Sequence, residues 1–190
     1  MNRLLRWLLA ATVLGFGCAG GGSPSSGDSG AATVPDQERD NMLAVGEQAP
    51  DFEAKDHLGR TWRLSGLRGK GPIVLIFYPM DETPGCTKQL CAARDDWQKY
   101  LDRGAFLFGV NSASAESHAE FAQKQRYPFP LLVDEKSRIA KAYGCRGLLM
   151  TTRTVYVIDR DGRIAYAKRG LPPTSEILAA IDATEKAATP

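Results

Sequence analysis

The stretch IVLIFYPMDETPGCTKQLC, Ile73 to Cys91, decides how the rest of the chain is read. IVLIFY is a continuous apolar run rich in β-branched residues, as expected of a strand covered on both faces. It stops at Pro79. After Pro84 a helical pattern begins: Leu90, Trp97 and Leu101 at i, i+7 and i+11 share a face, with Ala93 at i+3. Two of the four cysteines, Cys86 and Cys91, lie at this strand-to-helix junction. They could form a metal clip, a structural disulfide or a reactive pair.

Outward from this junction the pattern repeats. Upstream, GEQAPDFEAKDHLGRTWRL alternates apolar and polar residues about His57-Leu58-Gly59-Arg60, which predicts a β-hairpin, Phe52–Lys55 with Thr61–Leu64. Downstream, AFLFGV (Ala105–Val110) predicts a second buried strand. Ser114–Arg126 opens with a capping Ser and early acids, so it predicts a helix. Leu131–Val133 is a short strand, and EKSRIAKAYG a short helix ending at Gly144. Thr154–Asp159 and Arg163–Lys168 form a hairpin about Arg160-Asp161-Gly162, and PTSEILAAIDATEKA is a final helix with Thr174 or Ser175 near its cap. Strands alternating with helices indicate an α/β fold, with a central mixed sheet, helices on both faces and an N-terminal β-hairpin. Strands 73–78 and 105–110 are joined through a helix and should be parallel. The cysteine pair then sits at the C-terminal end of a central strand, where open α/β sheets place their sites.

The chain has 190 residues, 43% hydrophobic, with a net charge of +2, so nothing in its charge points to nucleic acid. Four cysteines are too few for a disulfide scaffold at this length. The first twenty residues, MNRLLRWLLAATVLGFGCAG, put Arg3 and Arg6 ahead of an apolar run from Trp7 to Gly17. That run is too short to cross a ~30 Å hydrocarbon core as a helix. It reads as a signal peptide over residues 1–17, resembling a bacterial lipoprotein signal with Cys18 as the lipidated residue. Residues 18–42 are Gly, Ser, Ala and charge, a flexible tether, and residues 43–190 are the folded domain. On this reading the protein is exported and anchored by lipid to a bacterial membrane, facing the periplasm or cell exterior.

The pair's chemistry follows from its spacing. Zinc needs three or four ligands, and neither His57 nor His118 forms a zinc motif with this C-x4-C pair. If both cysteines lie on one helix, five positions mean ~7.5 Å of rise and ~140° of rotation, and Cα atoms roughly 8–9 Å apart. A disulfide tolerates at most about 7 Å, so it would close only if the helix unwinds. Such a pair suits a redox cycle better than a staple. Cys86 is set at the first helical turn by Pro84 and Gly85, where free N–H groups and the helix dipole favour a negative charge on sulfur. Thr83 offers a hydroxyl. Arg153, beside the closing hairpin, is a candidate cation.

These residues resemble the active-site signature of the peroxiredoxins, Pro-x-x-x-Thr-x-x-Cys, at Pro79, Thr83 and Cys86. FYPMDETPGCTKQLC is similar to the version in the bacterioferritin comigratory protein, or Q-type, branch, including the second Cys. GVNSASAESHAEFAQKQRYPFPLLVDE and RTVYVIDRDG agree as well, although Ala113 stands where relatives often carry Asp. The resemblance runs from about Val45 to Lys186. It implies a thioredoxin-like fold and a thiol peroxidase. Cys86 would be the peroxidatic thiolate and Cys91 the resolving thiol, the two closing an intramolecular redox disulfide. Arg153 and Thr83 would polarise the peroxide, and Pro79 would shape the pocket. It further implies a hydroperoxide substrate, a thioredoxin-like reductant, no metal or other cofactor, and a monomer.

The other residues have ordinary readings. Cys145 is expected to be a half-buried, inert thiol, His57 a solvated turn residue, and His118 structural. At most one of Phe77 and Tyr78 can face the site. Trp97 and the face of Ile177, Leu178 and Ile181 read as packing. A membrane-tethered thiol–disulfide oxidoreductase of the thioredoxin type is the competing function. It calls for C-x-x-C at the helix start, which C-x4-C does not supply.

Overall fold

The computed structural model describes residues 41–187. The expected signal peptide, most of the expected tether, and Cys18 lie outside them. Among the described residues, seven strands and five helices run in the order β1 (Glu53–Lys55), β2 (Thr61–Arg63), β3 (Ile73–Phe77), α1 (Pro84–Asp95), α2 (Trp97–Leu101), β4 (Phe106–Asn111), α3 (Ala115–Gln125), β5 (Leu131–Val133), α4 (Arg138–Ala142), β6 (Thr154–Ile158), β7 (Ile164–Arg169) and α5 (Thr174–Ala187). A 3₁₀ turn, Glu135–Ser137, leads into α4.

β1 and β2 form the expected hairpin. The other strands make one mixed sheet in the order β5-β4-β3-β6-β7, with β3 at its centre. β3 is parallel to β4, as the helical crossover requires, and antiparallel to β6. The period-two alternation of β3 feeds two cores. Ile73, Leu75 and Phe77 join the aromatic cluster of Tyr143 and Tyr156, whereas Val74, Ile76 and Tyr78 pack with Cys86, Leu90 and Phe121. Burying each of these side chains contributes about 1.5–3 kcal/mol, so the strand that launches the cysteine segment is among the most firmly held elements.

Three expectations need correction. The helix after Pro84 breaks at Asp96 (φ −96°, ψ 11°), giving α1 and α2 in place of one helix. The break rotates Leu101 out of the shared face, and it is 46% exposed. His57 is half-buried rather than solvated: its N–H donates to the Leu131 carbonyl, and its Nδ1 accepts from the Leu131 N–H at 3.2 Å. Cys145 is fully buried rather than half-buried. Gly144 ends the α4 segment in the left-handed region (φ +62°), as its sequence position suggests.

Candidate active site

α1 begins where the chain leaves β3 and turns through residues 79–83. Glu82 takes a left-handed conformation (φ +59°). Thr83 occupies the N-cap position with extended backbone, and Pro84 follows at the first helical position, where its missing N–H costs nothing. Cys86 is therefore the third residue of α1, within the turn whose N–H groups have no partner inside the helix.

The register of β3 with β6 pairs Phe77 with Thr154. This brings Arg153, one residue before β6, to the end of β3 from which the cysteine segment departs. Arg153 Nη2 lies 3.1 Å from Cys86 Sγ. Its Nη1 donates to Gln89 Oε1 at 2.7 Å, which fixes the guanidinium plane. Gly85 leaves room for this contact, since a Cβ there would stand 3.2 Å from Arg153 Nη2. Cys86 is fully buried. Its sulfur thus sits in an apolar cluster, with a guanidinium and the first-turn N–H groups of a helix as its polar neighbours.

Cys91 lies on the same helix, and all three described cysteines are free. Its Sγ is half-buried and directed to α3, 3.6 Å from Gln125 Oε1 and 3.8 Å from Tyr127 Oη. An unbroken α1 between the two thiols is the geometry that forbids a bond until the helix yields. Thr83 directs its hydroxyl to the Met80 carbonyl at 3.3 Å and makes no side-chain cap bond to the helix. Pro79 is half-buried at the end of β3. Tyr78, not Phe77, is on the Cys86 side of the sheet. Gly109 makes room for it, since a Cβ there would come within 3.1 Å of the Tyr78 ring. Cys145 belongs to the opposite core, where burial pushes its thiol up to about 12. Among the described residues there is no group of three or more metal-ligating side chains.

Two features were missed from sequence. Gln89 stands at i+3 from Cys86 on the same helix face, a spacing that could have flagged it. Asp81 is buried and accepts four side-chain hydrogen bonds, from Tyr78 Oη (2.9 Å), Asn111 Nδ2 (3.0 Å), Ser117 Oγ (2.6 Å) and His118 Nδ1 (2.9 Å). Burial opposes ionisation of Asp81, but the bonds from His118 and Ser117 outweigh it and hold the carboxyl below its ordinary range. No local pattern announces a partner set drawn from Tyr78, β4 and α3.

Comparison with known proteins gives these observations a family. The AhpC/TSA family model matches residues 45–167. Chloroplastic peroxiredoxin Q of Triticum aestivum is 47% identical over 127 residues, covering 65% of this chain and 58% of its own length. The chain thus spans less than two thirds of that relative. Peroxiredoxin Bcp of Bacillus subtilis is 38% identical over 130 residues, 64% of this chain and 82% of its own. The crystal structure of peroxidoxin BcpB from Mycobacterium tuberculosis superposes with a TM-score of 0.70 at 34% identity, covering 75% of this chain and 98% of that one.

These relatives overturn the expected placement outside the cytoplasm. The wheat relative is chloroplastic by name, and neither it nor the Bacillus protein is named as exported or lipidated. Among the described residues no helix is long and apolar enough to cross a membrane. Two arginines before a short apolar run specify amphiphilicity, not destination, and the export and lipid anchoring read from residues 1–17 and Cys18 are withdrawn. With the family model spanning both the cysteine segment and the Arg153 strand, the chain belongs to the AhpC/TSA family, in its peroxiredoxin Q/Bcp branch.

Proposed function

We propose that this protein is a thiol-dependent peroxidase acting on hydrogen peroxide and organic hydroperoxides, with residues 43–190 as its catalytic domain. The observation that carries the reading is the 3.1 Å contact between Arg153 and the buried Cys86 sulfur at the entrance of α1. The Cys86 thiolate attacks the terminal peroxide oxygen, the O–O bond breaks, and the departing alkoxide or hydroxide takes a proton to leave as alcohol or water. Cys86 is thereby oxidised to the sulfenic acid. Arg153 and the N–H groups of the first helical turn stabilise the charge that moves from sulfur to the leaving oxygen. Thr83 and Pro79, flanking the turn, orient the peroxide and bound its pocket.

Once the first turns of α1 unwind, the Cys91 thiolate attacks the Cys86 sulfur. Hydroxide leaves, is protonated to water, and an intramolecular disulfide forms. A thioredoxin-like dithiol protein then supplies two electrons by exchange and restores both thiols. Because both cysteines belong to one helix of one chain, the cycle needs no second copy, and we take the monomer as the working unit. The thiol–disulfide oxidoreductase reading fits less well, since its two cysteines must meet without unwinding a helix.

The test is a pair of variants under a thioredoxin system. Cys86→Ser should consume no peroxide. Cys91→Ser should complete a single turnover and accumulate the sulfenic acid, trapped by a dimedone-type reagent. A Cys91→Ser protein that recycles at the normal rate would remove Cys91 from the cycle.

A further inference from the structure

The peroxidase reading leaves unused a buried polar cluster beside the cysteine segment, the one around Asp81. Its carboxylate is met by Tyr78, the residue just past β3, by β4 through Asn111, and by α3 through Ser117 and His118. The donors are themselves fixed. The Asn111 side-chain oxygen accepts the Ala113 N–H at 2.6 Å, so its amide nitrogen must face Asp81. His118 is fully buried, and its second nitrogen, Nε2, stands 3.2 Å from the Leu132 carbonyl, which can only accept. Both ring nitrogens therefore face oxygen atoms, which fixes the orientation of the ring. Satisfied networks of this kind hold one geometry, and breaking a member leaves the others unpaired in a low-dielectric interior.

The position of the cluster gives it a use. Asp81 lies in the connection between β3 and α1, five residues before Cys86. Immediately after it, Glu82 is exposed, left-handed and tied only at the surface, to Lys124 at 2.7 Å. The far end of the same helix is also tied to the α3 segment, since Arg94 Nη1 donates to the Gln125 carbonyl at 2.6 Å. The segment that must unwind to join Cys86 and Cys91 is thus bracketed by two attachments to one element.

We propose that Asp81, held by His118 and Ser117, is a positioning residue for peroxide attack: it anchors the root of α1 so that Cys86 is presented to Arg153, and it is the fixed point to which the unwound segment returns. This rests on the peroxidase reading. Asp81 touches neither sulfur nor substrate in this role. Its effect is on where Cys86 stands when the peroxide arrives, and displacement of a reacting atom by about 1 Å can cost up to ~10²-fold in rate.

The experiment separates oxidation of Cys86 from closure of the disulfide in single-turnover mixing with hydrogen peroxide. It also follows amide exchange across residues 82–90 of the reduced protein. Asp81→Asn keeps the side chain's shape but turns an N–H₂ toward donors. It should slow oxidation about tenfold or more, leave disulfide closure within about twofold, and raise exchange in residues 82–90. Ser117→Ala removes one donor without touching the carboxylate, and should move oxidation and exchange in the same direction by roughly threefold. This milder variant decides the matter if Asp81→Asn does not fold. Faster exchange with oxidation at the normal rate would overturn the proposal by reducing the cluster to a structural one. Slower oxidation with unchanged exchange would overturn it too, since anchoring would not be the route. Failure of the peroxidase reading shows itself separately, as an unsubstituted protein that does not react with hydrogen peroxide.

Discussion

Replacing Arg153 by Ala removes the single charged side chain within hydrogen-bond distance of the Cys86 sulfur among the described residues. The size of the effect can be worked from the two bonds it makes. Nη2 reaches Sγ at 3.1 Å and Nη1 reaches Gln89 Oε1 at 2.7 Å. A hydrogen bond to a charged group contributes about 1.5–3 kcal/mol, and removing one donor from a charge-stabilising site costs ~10²–10³ in rate. Arg153→Ala should therefore lower the second-order rate constant for Cys86 oxidation by about 10²-fold. Arg153→Lys keeps a cation but not the planar fork, so it cannot serve sulfur and Gln89 together, and should fall between, at roughly tenfold. The assay is rapid mixing of reduced protein with increasing hydroperoxide, quenched with an alkylating reagent and read by intact mass. Circular dichroism checks that the fold is kept. An Arg153→Ala protein that oxidises within about threefold of the normal rate would refute the reasoning, because a bond made at 3.1 Å would then carry no weight in the reaction.

Other expectations are narrower. Gly85→Ala places a methyl group 3.2 Å from Arg153 Nη2, and the guanidinium must give way by a few tenths of an ångström. The oxidation rate should fall severalfold with no loss of thermal stability, and an unchanged rate would show that the guanidinium has slack. Cys145 should resist alkylation in the native protein and label only on unfolding, because burial holds its thiol up at about 12. Cys145→Ser should still close the same disulfide, as peptide mapping would show. Asp56 is fully buried and accepts from Arg60 Nε at 2.8 Å and Trp62 Nε1 at 2.9 Å. Asp56→Ala strands these donors and should cost about 2–4 kcal/mol by denaturant titration. Burial opposes ionisation of Asp56, but the Trp62 and Arg60 bonds outweigh it and hold the folded pKa below the unfolded one. Its stabilising contribution is then present above the unfolded carboxylate pKa of ~3.9 and is lost as pH falls through the folded value. The difference in stability between the two proteins should shrink in acid and not in base.

Much of the fold could be read from local pattern because its central elements are locally consistent. β3 is apolar at every position since both of its faces are covered, and nothing in it conflicts with a strand. Ser114 precedes α3 with its side chain accepting from the Ser117 N–H, which is what a Ser before an acidic first turn suggests. The errors arise where a local rule meets a distant partner. The face assigned to Leu101 assumed 100° per residue without interruption, and the turn at Asp96, five residues earlier, cancels that assumption. His57 stands in a turn by every local criterion, yet it is drawn in by bonding both ways to the Leu131 backbone, 74 residues away.

The candidate site divides along the same line. Cys86, Cys91, Thr83 and Pro79 belong to one short segment, so their order along the helix entrance is visible in the sequence itself. Arg153 is distant in the chain, but its approach follows from one inference, that the strand after it joins the sheet beside β3, and the pairing of Phe77 with Thr154 supplies that neighbour. Asp81 has no such bridge. Between Met80 and Glu82, two residues after a proline, it looks like a solvated loop acid, and only the convergence of Tyr78, β4 and α3 buries it. The cost of that burial is informative. A carboxylate withdrawn from water must recover its hydration from protein donors, and four donors is more than a turn needs to close. A chain that brings four donors to the residue that begins the cysteine segment has put much of its buried polar capacity into fixing where that segment starts. This gives the root of α1 a rigidity that its unwinding first turns cannot have.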